Sequence, residues 1–329
     1  MITTKDRVLH ALRMADGFVS GEGMCERIGV SRAAVNAAVK SLRAEGYEIE
    51  SVTRRGYRLV GGERRLCVGE LMCEPFVSFE CASKITVFDC VSSTNTLLRD
   101  LCAEHKAAPG DCVVADVQTA GRGRRGKSFE SHAGKGLYLS YAMDARDASP
   151  ALACRMTAWG AAAVREAIAE VCGAECGIKW VNDLVYGTRK LCGILTEMSV
   201  EAESGSVQNV VMGVGINVNQ TATDFSDEIR DAAISLFQIT GRTIDRVRLC
   251  AAILEKLDAM QRDFPAHPAR YLAAYRAHNA ALGHRVRVRG RQGTVIGIGD
   301  DFSLIVRYED GTRENVFGAD VSIEGFYGA

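Results

Sequence analysis

The stretch Gly121–Ser128 reads GRGRRGKS and satisfies two nucleotide-binding templates at once. It matches the P-loop as G-x-x-x-x-G-K-S and the dinucleotide fingerprint as G-x-G-x-x-G. Both templates need a helix directly after the loop, with its N-terminus facing the phosphates. The chain continues instead with FESHAGKG and the alternating pattern LYLSYAM, which predicts a strand. The context therefore disfavours both templates.

A flexible cationic loop is the interpretation that fits this stretch better. Its cations, Arg122, Arg124, Arg125 and Lys127, repel one another unless an anion lies among them. Its glycines keep the backbone adaptable. We therefore expect the loop to order around a phosphate or another anion, and a merely solvated basic loop is the alternative.

The composition is that of a globular protein without a strong overall charge. The chain has 329 residues, 47% of them hydrophobic, and a formal net charge of −1. Its first residues lack the apolar segment of a signal peptide, and no apolar run is long enough to span a membrane. The 12 cysteines are scattered without a C-x-x-C pair. This usage predicts reduced thiols in a cytoplasmic protein, most of them packed as small hydrophobic residues, and a zinc site is the less favoured alternative.

The first 60 residues predict a winged helix-turn-helix. Apolar residues at helical spacing indicate three helices, and β-type patterns indicate a two-stranded wing after them. These elements are Lys5–Met14, Gly21–Ile28, a helix capped by Ser31 and ending near Leu42, Ile49–Val52, and Gly56–Val60.

The third helix of this module is the expected recognition helix. It would enter the major groove, while the turn of the wing would reach the DNA backbone or the minor groove. The region Met1–Val60 carries ten Lys and Arg against seven Asp and Glu. A small packing domain without a role in DNA binding is the alternative. The predicted DNA-binding residues are Ser31, Arg32, Asn36, Lys40, Arg54 and Arg55.

The central region alternates apolar strands with helices, which predicts a mixed sheet covered by helices. The predicted strands are Ile85–Asp89, Cys112–Gln118, Leu137–Met143, Ile178–Val181, Leu191–Met198 and Val210–Asn217. The predicted helices are Thr94–Glu104, Ala151–Val171, Ile229–Ile239, Val247–Phe264 and Ala269–His278.

The last segment is rich in strand patterns, and Glu309-Asp310-Gly311 predicts a hairpin turn within it. We expect a small SH3-like β-barrel there. The chain is thus predicted to be an α+β protein of three domains. These are a winged helix-turn-helix at residues 1–62, a mixed-sheet domain at 66–280 and the small barrel at 281–329.

Six short motifs follow one another through the central region. They are Ser93-Thr94-Asn95, Gln118-Thr119, Gly121–Lys127, Lys179–Asp183 (KWVND), Arg189–Leu195 (RKLCGIL) and Gly213–Asn219 (GVGINVN). This set closely resembles the biotin–protein ligases. With the N-terminal module it resembles the bifunctional kind that also represses the biotin operon. The resemblance covers essentially the whole chain and implies a catalytic fold of the class II synthetase-like type.

The resemblance implies an enzyme that uses biotin, ATP and Mg²⁺. Such enzymes form biotinyl-5′-AMP and pyrophosphate, and a lysine of a biotin carboxyl carrier domain then displaces AMP. Because no protein nucleophile is required, catalysis rests on positioning and on charge stabilisation. The implied partners are the carrier protein, operator DNA and a second copy of the liganded chain, with no membrane.

The resemblance also assigns the biotin-binding residues. Neutral donors and acceptors suit the ureido ring, while cations offset the repulsion between the biotin carboxylate and the α-phosphate of ATP. Helix capping by Ser93 or Thr94, and a solvated edge position for Lys190, are the alternatives. The predicted biotin-binding residues are Ser93, Thr94, Asn95, Gln118, Arg122, Gly123, Arg124 and Lys190.

The catalytic candidates are Arg124, Lys190 and Asp183. Asp183 would hold Mg²⁺ or orient the acceptor lysine. A turn-forming Asn-Asp pair is the alternative for Asp183, and a core position is the alternative for Trp180. The predicted ATP- or adenylate-binding residues are Arg122, Arg124, Lys179, Trp180, Asn182 and Asn217.

Three positions depart from the pattern of the family. Val181 stands where members usually have proline, Lys127 where arginine is usual, and Phe129 where tryptophan is common. Lys127 is also what creates the P-loop match, which further weakens that interpretation. We expect Lys127 and Phe129 to influence how firmly the loop closes on its ligand.

Two rival functions remain open from the sequence. One is a ligase whose helix-turn-helix is vestigial, and the other is a non-catalytic repressor that senses biotin. A pure sensor has less need of Arg124 and Lys190, so their presence favours catalysis. Activation of lipoate is a related possibility, which the polar residues suited to a ureido ring disfavour.

Overall fold

A computed structural model of the chain describes residues 2–144, 150–200, 203, 207–317 and 321–327. It divides into two units, Met1–Phe88 with Asp245–Ala251, and Asp89–Ile244 with Ala252–Ala329. Among the described residues, no helix is long and apolar enough to cross a membrane.

The first unit begins with the three predicted helices: α1 (Thr4–Arg13), α2 (Gly21–Ile28) and α3 (Arg32–Ala44). Each starts at a hydroxyl-bearing residue that accepts a hydrogen bond from the first turn, as Ser31 does from the backbone N–H of Ala34. Their apolar faces meet in one cluster that includes Val8, Leu9 and Val39. The cluster fixes α3 with its opposite face exposed.

The wing and a short linker follow. The wing is an antiparallel pair, β1 (Glu48–Val52) and β2 (Gly56–Gly61), and the linker contains α4 (Val68–Leu71) and α5 (Phe79–Ser83). Glu70 on α4 is fully buried and is paired with Arg13 of α1 and with Arg64. This pairing attaches the linker to the helical module.

The main sheet has seven strands in the order β3-β4-β5-β9-β8-β7-β6. The strands are β3 (Ile85–Val91), β4 (Cys112–Gln118), β5 (Gly136–Met143), β6 (Gly177–Lys179), β7 (Asp183–Tyr186), β8 (Arg189–Val200) and β9 (Val207–Asn217). Each neighbouring pair along β4-β5-β9-β8-β7-β6 is antiparallel. The sequence predicted six of these strands but missed β7, which pairs with β6 in a tight hairpin.

Helices accompany this sheet, so the predicted α+β class is confirmed. They are α6 (Thr94–Ala103), α7 (Pro150–Cys172), α8 (Leu236–Thr240), α9 (Arg246–Asp263) and α10 (Ala269–Ala277). The helix predicted over Ile229–Ile239 is wrong in its first half, because helical structure begins only at Leu236. The backbone before it instead bridges to β8: Lys190 N–H donates to Ala232 O, and Ile234 N–H donates to Lys190 O.

The C-terminal segment forms a five-stranded antiparallel sheet in the order β13-β12-β11-β10-β14. Its strands are β10 (Arg285–Val288), β11 (Arg291–Ile298), β12 (Leu304–Tyr308), β13 (Arg313–Val316) and β14 (Val321–Ile323). The predicted turn at Glu309-Asp310-Gly311 connects β12 and β13, with Gly311 at a φ of 81°. The sequence did not predict β14.

Candidate functional site

A cleft lies beside β8 and β9, which contribute residues within 190–195 and 213–215 to its lining. The structure brings nine of the predicted site residues to its lining: Ser93, Thr94, Asn95, Gln118, Arg122, Gly123, Arg124, Asn182 and Lys190. They come from five separate sequence motifs, so the fold gathers what the sequence disperses.

The start of α6 forms one wall of the cleft. Ser93 caps the helix, since its Oγ accepts the backbone N–H of Thr96 at 3.4 Å. Thr94 donates from its backbone N–H and its hydroxyl to Oε1 of Gln118, at 2.9 and 3.1 Å. This pairing fixes the Gln118 amide, so its NH₂ group is the end that can be offered to a ligand.

Asn95 is almost fully buried beside this wall, with an exposed fraction of 4%. Its Nδ2 donates to the carbonyl of Leu195 at 3.1 Å and to Oε2 of Glu197 at 3.0 Å. Its Oδ1 accepts from the hydroxyl of Ser140 at 2.5 Å. Oδ1 also lies directly against Gly213, where an added Cβ would collide with it. The amide is therefore held in a single orientation.

The basic loop is folded back on itself. Gly123 N–H donates to Lys127 O at 2.7 Å, and Phe129 N–H donates to Gly121 O at 2.9 Å. These bonds enclose a turn at Arg124–Gly126. No helix follows the loop, and the next regular element is β5, so the interpretation as a P-loop or a dinucleotide-binding loop is rejected.

The arginines of this loop reach two different partners. Arg124 donates from NH1 to Oδ1 of Asn182 at 3.0 Å. Arg122 places NH2 3.2 Å from Oε1 of Glu197. Phe129, one of the departures from the family pattern, lines the cleft with its ring centroid 5.9 Å from Nζ of Lys190.

Lys190 and Asp183 form an ion pair at the edge of the cleft. Nζ of Lys190 lies 2.9 Å from Oδ1 of Asp183, which also accepts from Nδ2 of Asn182 at 3.1 Å. The other oxygen, Oδ2, accepts from the hydroxyl of Tyr327 at 2.5 Å. Lys190 therefore does not have the solvated edge position, because its ammonium is held by a mostly buried carboxylate.

Lys179 and Trp180 do not line the cleft as it stands. Burial lowers the pKa of Lys179 to about 8, although the Asp183 carboxylate opposes this shift. Nζ of Lys179 lies 3.5 Å from the ring centroid of Tyr327. Trp180 is buried and donates from Nε1 to the carbonyl of Phe302 at 3.0 Å, which fits the alternative of a core position.

Asn217 is buried at the end of β9 and acts on the backbone. Its Nδ2 donates to the carbonyl of Ile234 at 3.2 Å and more weakly to that of Lys190 at 3.4 Å. It thus ties the strand that carries Lys190 to the segment beyond β9, which shapes the cleft.

Sequence reasoning missed two polar residues that hold Asn95 from behind the cleft, Ser140 and Glu197, and two glycines of its lining. Ser140 is the one small polar residue in the strand pattern LYLSYAM, and a buried serine among large apolar and aromatic residues is a signal for an internal hydrogen bond. Glu197 had a weaker signal, since it lies two residues beyond the RKLCGIL motif. Gly193 and Gly213, on β8 and β9, line the cleft.

The predicted DNA-binding residues of α3 lie on one face. Arg32, Asn36 and Lys40 are spaced by four residues, and all three are exposed. Arg54 and Arg55 lie in the turn of the wing, where the guanidinium of Arg55 stacks 4.3 Å from the ring centroid of Phe18. The geometry presents a helix face beside a basic turn.

The chain is similar to known proteins over both of its parts. A family model described as the biotin/lipoate A/B protein ligase family matches residues 87–217, and an HTH domain model matches residues 4–58. The bifunctional ligase/repressor BirA of Bacillus spizizenii is 35% identical over 327 residues, which cover 97% of this chain and 98% of that protein. The protein of the same name from Escherichia coli is 29% identical over 319 residues, covering 96% of each.

Solved structures are similar to a large part of the chain. The biotin protein ligase of Aquifex aeolicus in complex with biotin and ATP aligns with a TM-score of 0.63 and 26% identity. The alignment covers 73% of this chain and 98% of that one.

Proposed function

The chain belongs to the family of bifunctional biotin ligase/repressors, and on that premise we propose how its residues divide the work. It is an ATP-dependent biotin–protein ligase that uses biotin, ATP and Mg²⁺, and it is a transcriptional repressor. The observation that carries the assignment of roles is the convergence of nine predicted residues on one cleft.

The ureido ring of biotin is proposed to lie against the start of α6. There Gln118 offers amide N–H groups, and Asn95 offers a carbonyl oxygen. A ureido group carries one carbonyl acceptor and two N–H donors, so this pair is complementary to it. Ser93 and Thr94 complete the wall, and Ser93 also caps the helix.

The carboxylate of biotin is proposed to lie between the basic loop and Lys190. Attack of this carboxylate on the α-phosphate of ATP brings two anions together, and Arg122, Arg124 and Lys190 lower the cost of that approach. Lys190 is held by Asp183 and Arg124 by Asn182, so their charges are positioned before the substrates bind. The loop backbone at Gly123 would then close over the adenylate.

The residues near Asp183 suit a metal that arrives with the nucleotide. Mg²⁺ is usually held by one or two carboxylates together with substrate phosphates. Among the described residues there is no group of three or more His, Cys, Asp or Glu that could hold an ion alone. Asp183 is thus the candidate protein ligand for Mg²⁺, which would supply charge neutralisation at the phosphates, and Lys179 lies nearby as a further cation.

The acceptor is proposed to be a lysine of a biotin carboxyl carrier domain. Its amine would attack the acyl carbon of the adenylate, and AMP would leave. Incubation with a carrier domain, biotin and Mg·ATP, followed by detection of protein-bound biotin, tests this. Labelling that is lost in Arg124→Ala supports the assignment, and full labelling in that variant contradicts it.

The repressor activity is proposed to depend on α3 and the wing in a liganded homodimer. Two copies would place two recognition helices on a two-fold operator. Gel shifts on the cognate promoter test this, with Lys40→Ala and the exposed Arg248→Ala as a matched pair. Adenylate-dependent binding that only Lys40→Ala weakens supports the proposal. Binding that ignores biotin and ATP, or no binding at all, as a vestigial module would give, refutes it.

The finer architecture and the location of the chain are proposed as well. We infer domains at 1–62, 66–280 and 281–329, the last with an SH3-like barrel arrangement of its five strands. The order β13-β12-β11-β10-β14 supports this, because β14 returns to pair with β10. Since DNA, ATP and carrier proteins are its partners, we place the protein in the cytoplasm.

A further inference from the structure

The side chain of Glu197 joins two parts of the cleft that are distant in sequence. It lies on β8 two residues after Leu195, so both side chains share one face of the sheet. Its Oε2 accepts a hydrogen bond from Nδ2 of Asn95 at 3.0 Å. Its Oε1 lies 3.2 Å from NH2 of Arg122, and the carboxylate is only 19% exposed.

The carboxylate determines how the Asn95 amide is oriented. An ionised carboxylate only accepts hydrogen bonds, so Asn95 must direct Nδ2 towards Glu197. The second N–H of Nδ2 goes to the carbonyl of Leu195, and Oδ1 accepts from Ser140. An amide oxygen has two acceptor positions, so Oδ1 keeps one for an N–H group of a ligand.

We propose that Glu197 is a positioning residue that selects for biotin by fixing Asn95 as a hydrogen-bond acceptor. The inference rests on the proposed function, because it takes biotin as the ligand of the cleft. An acid without a ureido N–H, such as lipoate, gains nothing from an acceptor at this place. Glu197 thus contributes to ligand choice without touching the ligand.

The ion pair with Arg122 gives Glu197 a second, smaller effect. Arg122 is 46% exposed, and half-exposed ion pairs contribute little free energy. Holding Arg122 beside Asn95 nevertheless connects recognition of the ring with the basic loop. Loss of this pair alone should therefore weaken biotin binding less than loss of the orientation of Asn95.

The test measures biotin affinity by calorimetry on the full chain. Glu197→Leu removes both contacts and should raise the Kd for biotin about tenfold or more, since a buried donor loses its partner. Glu197→Gln can still accept a hydrogen bond from Asn95 and should raise the Kd for biotin about threefold. Arg99→Gln removes the other nearby cation, whose NH1 lies 4.0 Å from Oε1 of Glu197, and should leave the Kd unchanged.

Two further readouts separate positioning from a general structural role. At saturating biotin, kcat for pyrophosphate release should stay near that of the unsubstituted protein in Glu197→Leu, so that only KM for biotin rises. In an Asn95→Ala background, Glu197→Leu should raise the Kd for biotin only slightly further, because its effect acts through Asn95. If Glu197 had only a general structural role, Glu197→Leu would raise the Kd for biotin by the same factor with Asn95 and with Ala at that position.

The outcomes are distinct. Equal biotin affinity of Glu197→Leu and the unsubstituted protein, or additive effects in the Asn95→Ala background, overturns the inference while the proposed function stands. Failure of the unsubstituted protein to bind biotin overturns both. If Glu197→Leu does not fold, the near-isosteric Glu197→Gln decides, and an affinity equal to that of the unsubstituted protein, with lipoate still rejected, counts against the inference.

Discussion

The ammonium of Lys190 lies 2.9 Å from Oδ1 of Asp183, whose other oxygen accepts the hydroxyl of Tyr327. One carboxylate thus positions the cation that is proposed to meet the carboxylate of biotin. The ion pair is partly shielded, since Asp183 is only 13% exposed. The position of Lys190 depends on a residue that need not contact biotin.

Replacing Asp183 by asparagine should lower the rate of adenylate formation. The substitution keeps the shape but removes the charge that holds Lys190 and that would also hold Mg²⁺, and we expect a loss of about tenfold to a hundredfold in kcat/KM. Biotin-dependent pyrophosphate release measures it. Tyr327→Phe leaves the ion pair in place and serves as the control with a smaller effect. Equal rates for Asp183→Asn and the unsubstituted protein would show that Lys190 is positioned by other means.

Replacing Gly213 by alanine should abolish tight biotin binding. The added Cβ would overlap the amide oxygen of Asn95, which is buried and held by three partners. Because Asn95 would have to move, we expect the Kd for biotin to rise more than about tenfold. Gly297→Ala, whose Cβ meets only ordinary contacts, is the control. Unchanged affinity in Gly213→Ala would mean that Asn95 does not contact biotin.

Replacing Lys179 by methionine should make stability less dependent on pH. Burial lowers the pKa of Lys179 to about 8 from 10.5, so the unfolded chain binds more protons between these values. The free energy of unfolding therefore rises with pH across that window. Below pH 8 the folded protein bears the full cost of keeping the Lys179 ammonium buried.

Urea unfolding at pH 7 and pH 9.5 measures this effect. Because Lys179 is only partly buried, we expect Lys179→Met to stabilise the protein by about 1 kcal/mol at pH 7 and by less at pH 9.5. The exposed Lys106→Met is the control. A difference between Lys179→Met and the unsubstituted protein that does not vary with pH would contradict the assigned cause.

Replacing Glu70 by alanine should destabilise the first unit. Glu70 is fully buried, with Arg13 at 2.5 Å and Arg64 at 2.9 Å. Its removal takes the carboxylate away from Arg13, while Arg64 keeps its ion pairs with Glu74 and Asp245. Because Arg13 loses its carboxylate and Arg64 loses one of three, we expect a loss of about 3 kcal/mol in thermal or urea unfolding. Glu50→Ala, which breaks the exposed pair with Arg58, should cost less than about 0.5 kcal/mol. Equal effects of the two substitutions would refute a stabilising role for the buried network.

Local signals in the sequence predicted much of the fold. Ser31 caps α3, and the alternating pattern before Met143 is a strand, because caps and periodicity act within a few residues. The helix predicted before Leu236 is absent for a reason that lies in the tertiary structure. The backbone groups of this segment bond to Lys190 of β8, and such long-range bonds override local helix preference.

The site was predicted to a similar extent. The motifs identified residues that line the cleft, such as Gln118 and Lys190, but motif membership does not determine which way a side chain points. Trp180 lies within the KWVND motif and donates to Phe302, away from the cleft. Glu197 lies outside every motif and bonds to Asn95, a residue of helix α6 that only tertiary packing brings near.

The central claim is that the cleft activates the carboxylate of biotin, and pyrophosphate release from Mg·ATP tests it most directly. The measurement compares biotin with lipoate, and the unsubstituted protein with Lys190→Ala. Release with biotin only, lost in Lys190→Ala, is the predicted result. No release with either acid despite tight biotin binding would contradict the claim and make the chain a sensor of biotin.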